Sequence, residues 1–548
     1  MRPTASLQGD KIHVRVPFIL SDHFRDIISG KYSRKARVYI FPKEAIVEIV
    51  QTAETFGVEA DQRFWQYHDE VLRKQEQTEK ILATDFNDME PPARYPFLMR
   101  HQAKCLELSK INNKFALFMD TGTGKTLSAY AIMDTHATKF LVVCPKSIIL
   151  TAWKDDAEKF FPHLKVLYMT KDLTKKYYND LRKKHGIVNL FEWADVIVIN
   201  PEYFKMIKDE LYPHVNGLVV DESVMMANIT TQTTKDLIEF GTKMKYTYIL
   251  SGRPAPNNKL QYHPQMQIID PSLFSTEYYK FRNIFFEKAD YMGYTYRIIK
   301  HKEPEFMRRL AKKSIFISKK DCLDLKDPVY LERVVTLPEK AYRLYRQMER
   351  DYIIHLENGE AVTVAEKISA LMKMRQICSG FIYDEHRKAN HVHNSKIDET
   401  MDVLTELGDE QAIIWVNFIP EIKMLKKALE SKKITYDCAY GETKDLASVV
   451  NRFKSKDYQV LIAHPKTLKY GQTLVNCTYA IYYSESYSYD DYKQSRDRIY
   501  RKGQNDQVTF IFIKARDTID FIIHDTVVNK GNAHDLLEAF VKHVQERK

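Results

Sequence analysis

The sequence contains no stretch approaching the roughly 20 apolar residues that a membrane-spanning helix requires. Its N-terminus, MRPTASLQGDKIHVRV, lacks the apolar region of a secretory signal. Six cysteines, at positions 105, 144, 322, 378, 438 and 477, lie far apart, with no CxxC pair and no histidine cluster beside them. That spacing argues against a zinc site or a disulfide framework and fits a reducing compartment. No internal repeat at solenoid spacing and no low-complexity tract is evident. The expectation is a soluble, cytoplasmic protein with no membrane partner, acting as a monomer.

What is present points elsewhere. At 548 residues the chain is too long for one hydrophobic core, and domains of about 100–200 residues predict three or four units. A 44% hydrophobic and 28% charged composition is that of an ordinary globular protein. The 83 Lys and Arg against 73 Asp and Glu leave a formal charge of +10. Such a surplus suggests a polyanionic partner and says nothing of the fold.

Two series of short apolar runs organise the chain. The first comprises FALFMD (115–120), FLVVC (140–144), VIVIN (196–200), LVVD (218–221) and YILS (248–251). The second comprises AIIWV (412–416), 436–440, VLIA (460–463), IYYS (481–484) and VTFIFI (508–513). Runs of this length, rich in β-branched and aromatic residues and separated by helical stretches, read as strands buried on both faces of parallel sheets. The fold class is therefore α/β, with two parallel-sheet lobes at 93–263 and 385–515. A helical, charged insertion is expected at 264–384. A small α+β module fills 1–60, a helical linker 61–92, and a C-terminal helical segment packing on the lobes 516–548.

Ligands of such sheets bind beyond the carboxyl ends of the strands, where three motifs fall. Strand FALFMD runs into Asp120-Thr121-Gly122-Thr123-Gly124-Lys125-Thr126 and then a helix, LSAYAIM. Glycines let backbone N–H groups close around phosphates, and the helix N-terminus favours negative charge. Lys125 would reach the β- and γ-phosphates of a nucleotide, and Thr126 would place its hydroxyl on Mg²⁺. Met119 stands where the strict pattern has glycine. A glycine-rich turn before a surface helix is the plainer alternative. The strand 218–221 ends at Asp221-Glu222. There Asp221 could hold Mg²⁺ and Glu222 could deprotonate water, or the pair could simply cap the next helix. Near the end of the second series, Arg498 and Arg501 lie three apart in QSRDRIYRKGQ (494–504). On a helix they would share a face, either aimed at a phosphoryl group or forming a solvated basic surface.

Together these residues resemble superfamily-two helicases, specifically the Swi/Snf-type DNA translocases, over about residues 95–515. Arg100-His101-Gln102 is similar to that family's adenine-reading glutamine motif. Cys144-Pro145-Lys146-Ser147, followed by Trp153, and DVIVINPEYF (195–204) resemble its contacts to the nucleic-acid backbone. Ser251-Gly252-Arg253-Pro254 with Asn257 resembles its coupling motif, LMKMRQICS (371–379) and Ser395-Lys396 its lead-in to the second lobe, and QSRDRIYRKGQ its arginine-finger signature, with Gln494 at the head. The chain departs from the pattern at Val224, where the family has histidine, and at Ser251 and Arg253, where it has threonines. The last coupling motif survives only as Tyr470-Gly471-Gln472-Thr473-Leu474.

The resemblance implies two RecA-like lobes. ATP and Mg²⁺ would be held by Gln102, Thr121, Gly122, Thr123, Gly124, Lys125, Thr126 and Asp221. Glu222 would act on water, and Arg498 and Arg501 would serve as arginine fingers. Lys146, Ser147 and Trp153 would touch DNA, and Ser251, Arg253, Gly471 and Gln494 would couple hydrolysis to movement. It implies duplex or branched DNA as partner, gripped mainly through phosphates with little sequence preference. A strand-separating DNA or RNA helicase and a non-hydrolysing ATP-gated DNA scaffold are the alternatives. Residues 28–42 (ISGKYSRKARVYIFP) resemble the HARP module of annealing helicases. Lys31, Arg34 and Lys35, with Tyr32 and Tyr39, offer charge and stacking surfaces suited to nucleic acid, or an ordinary strand with a basic turn.

Overall fold

The computed structural model describes all residues except 1, 26, 54–56, 171, 172, 174, 187, 257, 290–294, 323, 324, 358–363, 469–472, 502, 530–535, 537, 538, 541 and 544–548. The chain divides into two compact units, Met1–Cys322 and Leu323–Lys548.

The first unit opens with a five-stranded sheet of β1 (Thr4–Gln8), β2 (Lys11–Arg15), β3 (Lys31–Ser33), β4 (Val38–Pro42) and β5 (Glu59–Ala60), in the order β3-β4-β2-β1-β5. Residues alternate across it as period-two side chains require: Ile12 and Val14 point inward, opposite Phe41 and Tyr39. Phe24, Ile46, Ile49 and Phe64 complete this small core. Phe64 begins the helix Gln62–Ala83, whose first turn is capped by Asp61 through a 2.9 Å bond from the Phe64 N–H. That helix reaches the next domain, where Asn112 donates to Thr78 at 2.8 Å and the Lys104 ammonium donates to the carbonyls of Leu82 and Thr84.

The sheet of the first lobe is wholly parallel. Its strands are β6 (Lys114–Met119), β7 (Phe140–Val143), β8 (Val166–Met169), β9 (Val196–Ile199), β10 (Gly217–Asp221), β11 (Tyr246–Ser251) and β14 (Ser314–Ile317), ordered β14-β6-β11-β10-β7-β9-β8. A separate hairpin, β12 (Phe286–Lys288) with β13 (Tyr296–Ile298), lies between β11 and β14 in sequence. In the second unit β15 (Val329–Val335), β18 (Ala412–Trp415), β19 (Tyr436–Ala439), β20 (Val460–Ala463), β21 (Tyr479–Tyr482) and β22 (Thr509–Ala515) form a second parallel sheet, β15-β22-β21-β18-β20-β19. A hairpin of β16 (Phe381–Tyr383) and β17 (Ala389–His391) stands apart from it. The helix Ile519–Val528 packs into that unit's core. Both sheets are buried on both faces by helices, the α/β arrangement of RecA-like lobes.

Residues 264–384 correct the expectation of a self-contained helical insertion. Positions 314–317 return to the first sheet as the edge strand β14, 329–335 supply β15 of the second, and the units divide after Cys322. Among the described residues no helix is long and apolar enough to cross a membrane.

Candidate nucleotide-binding site

The site grows from the carboxyl ends of β6, β10 and β11. After β6 the chain turns through Gly122 and Gly124, both at positive φ (88° and 80°), into the helix Lys125–His136. Gly124 has no alternative, because a Cβ there would lie 2.1 Å from the Gln102 amide nitrogen. Thr123 is fully buried and turns its hydroxyl back onto the Asp120 carbonyl at 2.7 Å. Thr121, Lys125 and Thr126 are half-buried. The Lys125 ammonium donates to the Met119 carbonyl at 3.2 Å. Met119, the departure from the strict glycine pattern, is a fully buried residue of β6 and takes no part in the turn itself.

Gln102 lies directly beneath the loop. Its carboxamide accepts from the Met99 N–H at 2.7 Å and donates to the carbonyls of Thr123 and Gly124 at 3.2 and 3.1 Å. His101 bonds the Thr123 carbonyl as well, at 2.8 Å. Gln102 is buried, and its amide nitrogen braces the phosphate loop.

Asp221 ends β10, buried. Burial first, and the neighbouring Glu222 charge second, push its carboxyl up to about 6, against the pull of the Lys125 charge, the Glu222 N–H and the Trp153 indole. Lys125 and Asp221 thus belong to one electrostatic site, as the motifs predict. Glu222 adopts φ 51° and ψ 57°, a left-handed conformation that is strained for glutamate. Its N–H donates to Asp221 Oδ1 at 2.8 Å.

Trp153 corrects one expectation. A π-helical turn, Ile149–Trp153, directs the indole inward, where it is fully buried and its Nε1 donates to Asp221 Oδ2 at 3.0 Å. The Tyr130 hydroxyl, on the helix that follows the phosphate loop, donates to the Trp153 carbonyl at 2.8 Å. A buried indole offers no face to a base or phosphate; this one orients the acid. Lys146 and Ser147 are exposed beyond the end of β7.

The coupling segment packs directly on the loop. A Cβ on Gly252 would sit 3.0 Å from the Thr121 hydroxyl and 3.5 Å from the Lys125 ammonium. Ser251 is fully buried, its hydroxyl accepting from the Arg253 N–H at 3.1 Å. Gln265 is a residue the motifs did not reveal. The buried Ser223 hydroxyl, two residues past Asp221, donates to Gln265 Oε1 at 2.7 Å. Gln265 Nε2 then donates to the carbonyls of Pro254 and Gln261 at 2.5 and 2.8 Å. A polar link between the acidic strand end and the coupling segment therefore exists one position before Val224. Only the pairing of two fully buried polar residues 42 positions apart signals it. Ser223→Ala leaves Gln265 Oε1 buried without its donor, a loss of about 1–3 kcal/mol. It should lower the thermal midpoint by a few degrees; an unchanged midpoint would mean that this bond does not hold the segment.

In the second unit the helix Tyr489–Arg496 stops before the arginines, so Arg498 and Arg501 lie in the turn that follows and do not share a helix face. Gln494 is half-buried on that helix. Arg498 is 3% exposed, with its Nε donating to the Gln494 carbonyl at 3.0 Å and its carbonyl accepting from the Leu474 N–H. Arg501 is half-buried. Gly471, and Asn257 of the first unit, lie outside the described residues.

A glycine cradle, a loop lysine and a buried strand-end carboxylate on one parallel sheet have the form of a phosphate-loop nucleotide site. The SNF2-related domain family matches residues 96–380, and the helicase conserved C-terminal domain family matches residues 395–503. The chain is 23% identical over 414 residues to an ATP-dependent helicase of Mycoplasma genitalium, covering 73% of this chain and 38% of that one. It is 24% identical over 453 residues to chromodomain-helicase-DNA-binding protein 1-like of Danio rerio, covering 78% and 42%. Among solved structures it is similar to the SWI2/SNF2 ATPase core of Sulfolobus solfataricus in complex with dsDNA, at 21% identity and a TM-score of 0.37, covering 80% of this chain and 91% of that one. It thus spans about 40% of the length of those two helicase relatives. The chain belongs to the SNF2-related family.

Proposed function

We propose that this chain is an ATP-driven motor that moves along duplex or branched DNA, with ATP held in the first unit. The observation that carries this reading is the packing of the coupling segment on the phosphate loop. Gly252 lies against Thr121 and Lys125, and Gln265 ties the same segment to the acidic strand end. A change in the phosphate loop is thereby felt by residues outside it, which a motor needs and a plain nucleotide store does not.

The residues fit ATP with Mg²⁺. The positive-φ glycines leave room for phosphate oxygens against backbone N–H groups, and a buried carboxyl already raised by desolvation has reason to sit beside a cation. Thr126 and Asp221 would hold the Mg²⁺, which when bound neutralises phosphate charge. Lys125 binds the terminal phosphates. Trp153 fixes the Asp221 carboxylate, and Glu222, set by its strained backbone, accepts the proton of the attacking water. Arg501 supplies positive charge to the phosphoryl group in transfer. Lys146 and Ser147 contact DNA phosphates. The net charge of +10 and the similarity to the Danio rerio chromodomain-helicase-DNA-binding protein 1-like both favour that partner.

Steady-state ATPase rates test the reading, measured alone and with blunt duplex, single-stranded and forked DNA and with RNA, at two salt concentrations. Duplex or forked DNA should stimulate turnover, and the half-saturating DNA concentration should rise steeply with salt because phosphate contacts release counterions. Stimulation by RNA in preference to DNA would replace the substrate. No stimulation by any nucleic acid would sink the motor reading.

A further inference from the structure

The N-terminal module and the first lobe meet along a seam far from the nucleotide. The seam borders the start of β6, the start of β11 and the segment before β14, at the end of the parallel sheet opposite the phosphate loop. It is held in shape by side chains from both partners. Ile28 joins the core of the lobe, Arg309 pairs with Glu48 at 3.0 Å, Lys31 pairs with Glu277 at 3.1 Å, and Lys280 donates to the Gly30 carbonyl at 3.2 Å. Three cavities open along it among the described residues: two, of about 940 and 510 Å³, are both lined by Lys31 and Thr276, and a third of about 340 Å³, rich in carboxylates, lies around Arg309 and Glu48. The first two are neighbours along the seam, with Lys31 and Thr276 on their shared border.

Its chemistry is uneven along its length. The largest cavity is lined by eight lysines and four carboxylates. Two of those carboxylates, Asp10 and Glu70, are paired with Lys43 and Lys74, and burial beside Asp270 pushes Glu44 up to about 7. Lys11 and Lys245 are exposed at its edges. Its neighbour of about 510 Å³ is aromatic at its mouth: Phe18 is 97% exposed and Tyr32 49% exposed, with Arg25 and Lys280 beside them. Arg34, Lys35 and Arg37 are exposed on the turn between β3 and β4.

Cations along a seam and open aromatic faces at one end are the two elements that hold an unpaired strand: phosphates meet the lysines and bases stack on the rings. A duplex, whose bases already stack on one another, has no use for the aromatic end. We infer that this seam is a second nucleic-acid site, separate from the motor's own grip, which takes a single strand of DNA with its bases on Phe18 and Tyr32 and its phosphates along the lysines. The inference concerns binding and not turnover, so it fails independently of the motor reading.

The test uses the full-length chain and fluorescein-labelled oligo(dT), with a blunt duplex of matched length as comparison, both read by anisotropy. Phe18→Ala combined with Tyr32→Ala removes two exposed rings, so the thermal midpoint should not move. Single-strand affinity should fall about tenfold or more, since a stacked base contributes that much, while duplex affinity changes far less. Lys11→Glu combined with Lys245→Glu should weaken oligo(dT) binding and flatten its salt dependence. Unchanged single-strand affinity in both double variants would overturn the inference. Equal losses for single strand and duplex would overturn it too, by reducing the seam to general electrostatics. Displacement of oligo(dT) by polyglutamate as readily as by unlabelled oligo(dT) would assign the seam to an acidic protein instead. Whether duplex DNA stimulates the wild-type ATPase is read in parallel and bears only on the motor.

Discussion

Lys125→Ala should reduce ATP turnover by about 10³-fold or more, because it removes a preorganised positive charge from the phosphate loop. The fold should survive. Lys125 is half-buried, and its ammonium's one hydrogen bond among the described residues is to the Met119 carbonyl at 3.2 Å. Helix Lys125–His136 is anchored instead by Tyr130 against Trp153 and by a row of buried apolar residues. Loss of turnover with an unchanged thermal midpoint therefore isolates the chemistry. A fluorescent ATP analogue, titrated in parallel, separates lost binding from lost hydrolysis. Wild-type, DNA-stimulated turnover in this variant would mean that the nucleotide is hydrolysed elsewhere.

Arg501→Ala should leave nucleotide affinity near that of the wild type and lower kcat by about 10³–10⁵-fold, the range for an arginine that stabilises phosphoryl transfer. Its neighbour provides an internal control. Arg498 is almost wholly buried and fastened to the Gln494 carbonyl and, through its own carbonyl, to Leu474. Arg498→Ala should therefore lower both stability and rate, whereas Arg501→Ala should lower the rate alone. If Arg501→Ala keeps its kcat, or loses nucleotide affinity in proportion, the arginine is a structural or binding residue and not a participant in transfer.

Local features of the site were legible in the sequence because their chemistry is local. The phosphate loop is seven consecutive residues, 120–126, running from an apolar strand into a helix, and its glycines stand at positive φ where the pattern requires them. The ten apolar runs all became strands for the same reason: strands buried on both faces need no partner to be recognised. What escaped was set by partners distant in sequence. Trp153 reads as a surface contact until its indole is seen on Asp221, 68 residues away. Gln265 carries no motif at all. The edge strands β14 and β15 escaped for a different reason. β15 is mostly exposed and carries Glu332 and Arg333, and β14, SIFI, exposes Phe316, so neither shows the continuous apolar run of a central strand.

The edge strand β14 also sets the order in which the molecule can be made. It pairs with β6 in the register Ser314↔Ala116, close to two hundred residues away, and it comes from sequence beyond the stretch that looks like a complete lobe. As the polypeptide leaves the ribosome, β6 waits with one side of its backbone unpaired until the segment through Ile317 has emerged. Such distant parallel pairing is slow, and an unpaired, mostly apolar strand is the kind of surface on which nascent chains stick together. The first half of the protein thus has its natural end near Cys322. A fragment cut at residue 263 would carry the whole phosphate loop on a sheet with a raw edge.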